Sequence, residues 1–591
     1  MGILASSLKI LDFFREIFAA RSTSCPLKSG NHCLWGSCYV AMGEIRARRT
    51  GYTQFFIPGK AMTPHADIIF TNVRAFTGND AAPRAEAVAV KGNRITFVGD
   101  ASGAESWRGP ATRVIPGRGK TLLSGFIDAH FHLLWGSTRF DGAQLGEVKT
   151  TGGLKKVLLD FAGENKGTPW VNGNGLRYGI VSTRRELDGI IAERPVYVEA
   201  FDTHTAWVNT KALEMAGILH PGQGIGANGG IVRDAAGLAT GELRDDSAMS
   251  VVRDLVPAPS ERRKRELLAP RMRQITAAGI TSIHNMNGDR EEIMTYSAME
   301  DAGEMLLRVY VPYWVKPEAT EGMLTEAAEM ARIQKDYVRG GAAKFFIDGI
   351  WESYTALAIG PYADDPAAAA DGIWSLDRFI EMAGACDRMG LQIFAHACGD
   401  GAVRRALDGY EAIRRSNGKR DSRHRVEHIE VIHPDDMPRF RQLGVIASLQ
   451  PLHAPMTPGD APVWSAKTGP GRWPLSFAWR ELKNAGARMV FGSDWMVAPF
   501  DPMLGIHRAL TRRPWQPGFP DQRLTLEEIL MAYTRDAAYA EFQEHRKGQL
   551  KEGYLADIVL LSEDIFQTEP EDIPNVKPLL TMVDGEVVYE V

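Results

Sequence analysis

The chain is short of cysteine, has no excess of basic charge and contains no long apolar run. Its five cysteines are odd in number and unevenly spread: Cys25, Cys33 and Cys38 lie near the start, Cys386 and Cys398 far downstream. That pattern is not a disulfide framework and is read more simply as reduced thiols in a cytoplasmic setting. His32 with the three early cysteines fits no zinc-ligand spacing well. A formal net charge of −5 offers no basic footprint for nucleic acid. No stretch of about eighteen apolar residues occurs, so no membrane-spanning helix is expected.

What is present is the composition of a soluble globular protein, 44% apolar and 24% charged. A length of 591 residues exceeds one ordinary core, since domains hold roughly 100–200 residues, although α/β barrels run larger. Residues 1–61 differ from the rest. "SLKILDFFREIFAARS" has the makings of an amphipathic helix and "RARRTGY" is basic, which suits a targeting segment. The simpler expectation is an appended or mis-assigned start, because "MTPHADIIFTNVRAFTGND" from Met62 reads as a natural beginning.

Short β-rich runs with turn signals occupy both ends, "ADIIFTNV" and "AEAVAVKGNRITFVGD" early, "LADIVLLSED" and "LLTMVDGEVVYE" late. They suggest one small β-sandwich built from 62–120 and 546–591. Between them, apolar runs bounded by Gly, Asn or Asp have the length of strands buried on both faces. Eight stand out: 122–129, 279–285, 306–313, 342–348, 391–396, 425–429, 445–450 and 488–493. Helical patterns lie between several of them. The expected fold class is therefore α/β: a (β/α)8 barrel over 121–135 and 271–545, with an insertion at 136–270 covering the active site after the first barrel strand.

Polar residues gather at the expected C-terminal ends of these strands, where barrels carry their chemistry. The first ends in His130 and His132, which share a face because side chains alternate along a strand. Lys344 lies in the fourth, His396 ends the fifth, His428 the sixth and Asp494 follows the eighth. Neutral imidazoles with a carboxylate suit zinc and its neighbours. Such a metal lowers the pKa of bound water to about 7 and makes hydroxide available at neutral pH. In isolation each residue has a plainer reading: His428 as a satisfied core histidine, Lys344 as an interior ion-pair partner, Asp494 as a helix cap. Five separate segments supplying suitable types at matching strand ends make the joint reading the stronger one. His433, His453 and His507 fall beyond strand ends.

Taken together, "GFIDAHFH", "KFFIDG", "HACGD", "RVEHIEVIHPDD", "FGSDW" and "GYLADIVLL" resemble the amidohydrolase superfamily. "DTHTAWVNTKALEMAGI" and "TALAIGPYADDP" resemble its family 3 branch, which includes N-substituted formamide deformylases. The resemblance spans about residues 62–591. It implies His130, His132 and Asp494 on one divalent metal and His396 and His428 on a second, with zinc the first candidate. Lys344 matches a carboxylated lysine that bridges the two, and one metal with an unmodified lysine is the fallback. After "KFFIDG" this chain has Ile350, Trp351, Glu352, Ser353 and Tyr354, where many relatives resemble a small Gly/Ser segment with an arginine. An inherited substrate does not follow from that loop.

The expectation is hydrolysis of a carbon–nitrogen bond in an amide or N-acyl amine by metal-bound hydroxide, with Asp494 as general acid and base. Trp135, Trp351, Glu352, Tyr354 and Trp495, with His204, are the expected pocket residues for an apolar or aromatic small molecule, Phe500 lying close by; packing under the insertion is the plainer reading of the aromatics, and His284 is either a substrate contact or a support behind the ligands. A homodimer is a further expectation; a nucleic-acid or membrane partner is not. The rivals are a deaminase-like relative, for which "HACGD" offers Asp400 but no glutamate, an ester, lactone or carbamate hydrolase, and a metal-containing regulatory protein without catalysis.

Overall fold

The computed structural model describes residues 65–201, 203, 205–222 and 230–591. The extension at 1–61 and His204 lie outside the described residues. Eight parallel strands form one sheet in sequence order: β1 Phe126–Phe131, β2 Ile280–Asn285, β3 Arg308–Trp314, β4 Val338–Phe346, β5 Gln392–Ala397, β6 Arg425–His428, β7 Ile446–Leu449 and β8 Arg488–Phe491. Nearly every residue in them is buried, as a sheet covered outside by helices and filled inside by side chains requires. The barrel closes at its mouth. The Asp494 amide donates to the His130 carbonyl at 2.7 Å, and the His132 amide to the Trp495 carbonyl at 3.0 Å. Gly492 permits this approach: a Cβ there would sit 2.4 Å from the His130 nitrogen.

The apolar run at 122–129 is not one strand. Thr121–Ser124 pairs with Ile558–Leu561 and Arg74–Phe76 in a second sheet, and only from Phe126 does the chain enter the barrel. Gly125 makes the transfer; a side chain there would meet Thr281 at 2.1 Å. Both halves are buried and apolar, so composition alone does not divide them.

That second sheet runs Glu586–Glu590, Pro578–Val583, Ile558–Leu561, Thr121–Ser124, Arg74–Phe76, Arg84–Ala85. It packs on a four-stranded sheet of Arg94–Gly99, Ala87–Lys91, Ile68–Thr71 and Arg113–Pro116. Their shared core joins Phe70, Val88 and Ile95 to Leu122, Ile558, Leu580 and Met582. This is a β-sandwich built from both ends of the described chain. A further six-stranded sheet lies between β1 and β2, from Ala143–Gln144 to Ala239–Arg244, with an apolar cluster on each face. Helix α1, Glu261–Ala277, follows it. Its Leu268, Met272 and Ile275 belong to the barrel core rather than to the insertion. Among the described residues, no helix is long and apolar enough to cross a membrane.

Sandwich and barrel are tied by a buried ion pair. Arg308 at the start of β3 donates Nε to Asp557 Oδ2 at 2.8 Å, and Nη2 to Asp557 Oδ1 at 3.0 Å and Asp584 Oδ1 at 2.7 Å. Removing one partner strands the other in a dry site. Arg308→Met is therefore expected to cost about 3–5 kcal/mol, read as a lowered urea midpoint. Burial alone would raise the Asp557 carboxyl, but Arg308 outweighs it and the net direction is down. The carboxylate's contribution is thus complete above its unfolded value near 4 and is lost as pH falls through the lower folded value. An unchanged midpoint at neutral pH would remove this tie from the stability of the fold.

Candidate functional site

The C-terminal mouth gathers His130, His132, His396, His428 and Asp494. Asp494 is the hub. Its Oδ1 lies 3.0 Å from His132 Nε2 and 3.4 Å from His130 Nε2, and its Oδ2 lies 4.0 Å from His428 Nδ1. The His130 and His428 rings are 4.8 Å apart and the His428 and His396 rings 4.3 Å. Donor atoms of His130, His428 and Asp494 lie within 4.8 Å of one another, and so do those of His396, Cys398 and His428.

Local backbone makes this convergence. At the end of β1, His130 and His132, the residue just past the strand, point to the mouth while Phe131 turns to the core and stacks on Trp495 at 5.0 Å. On β6 simple alternation would put Glu427 and His428 on opposite faces. His428 instead adopts φ 73°, and Asp494 φ 59°. Left-handed backbone at non-glycine residues costs about 1–3 kcal/mol and tends to be kept at working sites. At β6 it lets two consecutive residues serve one cluster.

Behind the mouth runs a buried polar chain. His130 Nδ1 meets Glu427 Oε2 at 2.8 Å, which fixes the ring and leaves Nε2 to face Asp494. Arg425 donates Nε to Glu427 Oε1 at 2.8 Å, and its Nη1 meets His284 Nδ1 at 2.8 Å. His284 Nε2 faces Glu541 at 3.3 Å, and Glu541 pairs with Lys547 at 2.7 Å. His284 is fully buried with its Nδ1 held by Arg425, which places it behind the mouth, in support of this chain.

Burial brings the His130 imidazole down to about 4 and the His396 imidazole to about 3, and it drives His428 well down. Burial works against the Asp494 carboxylate, yet His130 and His132 hold it well below the usual carboxylate range. At neutral pH His130, His396 and His428 are thus neutral imidazoles beside an anion, the protonation state that metal ligation needs. His132 Nδ1 and His428 Nδ1 are buried without a hydrogen-bond partner. Lys344 on β4 is fully buried, and burial lowers its ammonium to about 8. Its Nζ lies 4.0 Å from Met286 Sδ and 4.8 Å from the centre of the Phe346 ring, and among the described residues it has no carboxylate ion pair.

Two residues that the sequence did not single out for the site also reach it. His453, just past β7 in "QPLH", stacks on His428 at 5.8 Å with its Nε2 3.7 Å from Asp494 Oδ2. Glu430, two residues after His428, accepts from Trp464 Nε1 at 2.8 Å. Burial, then Glu352, push its carboxyl well up, which favours the protonated form. The position of each histidine or acid beside a strand end was the available signal. Asp400 is spoken for by backbone amides of Ile359 and Gly401 at 2.7 and 3.0 Å, which leaves it poorly placed as a proton shuttle.

The expected aromatic wall divides. Trp135 is half-buried, 5.1 Å from the His132 ring and beside Arg139. Trp495 is held between Phe131, Phe500 and Phe140 at centroid distances of 5.0, 5.9 and 6.3 Å. Tyr354 is tied outward, donating to Asp364 at 3.0 Å, and Glu352 is exposed. Trp351 is a core residue, fully buried against Tyr362 with its indole N–H donating to the Cys398 carbonyl at 3.2 Å. Trp351→Ala is expected to cost about 3–5 kcal/mol of stability through the cavity it leaves. Trp135→Ala should leave the thermal midpoint nearly unchanged and shift KM. Parallel melting curves and kinetics separate the two, and the reverse pattern would exchange their roles.

A model of the amidohydrolase family matches residues 113–589. Protein LONG AFTER FAR-RED 3 of Arabidopsis thaliana is 30% identical over 90% of this chain and 93% of its own length. The N-substituted formamide deformylase of Arthrobacter pascens is 26% identical over 90% of this chain and 99% of its own. Among solved structures, a metal-dependent hydrolase from Pyrococcus horikoshii OT3 superposes with a TM-score of 0.70 at 22% identity, covering 85% of this chain and 99% of that one, a likeness of fold. The chain belongs to the amidohydrolase family, in its family 3 branch.

Proposed function

We propose that this metal-dependent hydrolase cleaves the carbon–nitrogen bond of an amide, N-acyl or N-formyl amine whose organic part is apolar or aromatic. The observation that carries this reading is the convergence of His130, His132 and His428 on the Asp494 carboxylate, with Glu427 fixing His130 from behind. Buried imidazole nitrogens without partners and a buried lysine without a carboxylate ion pair fit a site completed by divalent cations and a carboxylated Lys344. His130, His132 and Asp494 would hold one cation, His396 and His428 the other, with zinc first among candidates and about two per chain. When bound, such cations polarise a carbonyl and make water acidic enough to attack it.

The chain's residues do the rest. Asp494 takes the proton of the attacking water and passes it to the leaving nitrogen, so the amine departs neutral. Glu427 and Arg425 hold the His130 ring so that Asp494 keeps its place. Trp135 and Trp495 offer apolar surface to the substrate's organic part.

The test is metal analysis joined to a hydrolysis screen. N-formyl and N-acyl aromatic amines are compared with esters, lactones, carbamates and aminated heterocycles. About two metals per chain and release of free amine are expected. Ester or lactone cleavage without amide cleavage would overturn the bond assignment. About one metal would overturn the lysine bridge.

A further inference from the structure

His130 and His132 end β1 as a His-x-His pair. His396 and Cys398 stand in the same relation at the end of β5, where residues two apart share a face. Cys398 Sγ lies 3.4 Å from His396 Nε2. The His428 ring is 4.3 Å from the His396 ring, its Nδ1 is buried without a partner, and donor atoms of all three residues lie within 4.8 Å of one another. A tetrahedral zinc with Zn–S of about 2.3 Å and Zn–N of about 2.0–2.1 Å separates sulfur from nitrogen by about 3.5 Å. The cysteine backbone is clamped. Its amide donates to Asp348 Oδ1 at 3.1 Å, the Gly399 amide to Asp348 Oδ2 at 2.9 Å, and its carbonyl accepts from Trp351. The thiol is thereby aimed at the cluster rather than free to turn away.

We propose that Cys398 joins His396 and His428 as a thiolate ligand of the second metal position. This rests on the metal-loaded reading above and adds to it. A sulfur–metal bond forms as the S–H bond breaks, and the proton leaves to solvent. No oxidant or reductant is involved. A two-imidazole, one-thiolate set is soft, so this position selects zinc or cadmium over magnesium or manganese. Thiolate donates charge more strongly than carboxylate, so the cation there is a weaker Lewis acid than its neighbour beside Asp494.

The full chain is loaded with zinc and with cobalt(II), for the native sequence and for Cys398→Ser. In the native protein, zinc-edge X-ray absorption should find sulfur at about 2.3 Å, and the cobalt form should show a near-ultraviolet thiolate charge-transfer band. Cys398→Ser should lose both, keep about one metal, and release the other to a competing chelator at a concentration lower by roughly tenfold or more. The native measurement decides even if the variant folds poorly. About two metals with no sulfur neighbour would overturn the Cys398 ligand and leave the proposed function standing. A band that survives Cys398→Ser belongs to another cysteine and would equally overturn it. A native protein that holds no metal would overturn both.

Discussion

Asp494→Asn should lower turnover of the cleaved amide by about 10²–10⁴-fold while metal content stays close to native. Asparagine keeps the size of the side chain and one carbonyl oxygen, so the position can still face His130 and His132. What it loses is the anion that accepts a proton. In the native protein that anion touches His132 at 3.0 Å and His130 at 3.4 Å, which keeps it ionised in spite of burial. Because the missing step is a proton transfer and not substrate docking, the loss falls on kcat with little change in KM. Steady-state kinetics beside metal analysis reads both quantities. Near-native turnover with metal retained would remove Asp494 from its role. Loss of metal in parallel with loss of rate would recast it as a ligand alone.

Much of this arrangement was legible in the sequence because barrels collect chemistry at strand ends, and strand ends are marked by apolar runs that stop. Lys344, His396 and Asp494 were found that way. Residues escaped where a physical rule is broken or silent. Alternation counts one of Glu427 and His428 as inward, and only the left-handed backbone at His428 brings both to the cluster. His453 comes from a short turn after β7 rather than from a strand. Cys398 read simply as a reduced thiol, since one cysteine among non-cysteine residues has no spacing signature. Trp351 and His284 went the other way, to the plainer of the two readings open for each. Each stands beside a strand end, yet Trp351 is fully buried and His284 is buried with its Nδ1 on Arg425, which makes both part of the structure behind the mouth. The division of "LLSGFID" at Gly125 was hidden because both sheets are equally apolar inside.

Replacing Lys344 should have an effect of comparable size, and it separates a bridge from a bystander. An ammonium buried without a carboxylate partner destabilises the protein that contains it. Lys344→Met removes that charge at similar volume, so in metal-stripped protein it should raise the thermal midpoint. In metal-loaded protein it should do the reverse, with metal falling from about two to about one and activity by about 10³-fold or more. The opposite signs follow from one cause. Burial lowers the amine to about 8, so near neutral pH a useful fraction is unprotonated and able to attack carbon dioxide. In the proposed carboxylation the neutral amine adds to carbon dioxide: an N–C bond forms as one C=O π bond breaks, and one N–H proton leaves to solvent; counted from the ammonium two protons are lost, so a cation would become an anion with two donor oxygens. Met cannot make that change. Lys344→Ala leaves room for a small carboxylate, so millimolar acetate or propionate should restore part of the metal and part of the activity, whereas neutral acetamide should restore neither. Rescue by both additives, or by neither with two metals still bound, would show that Lys344 fills space in the barrel and carries no bridging charge.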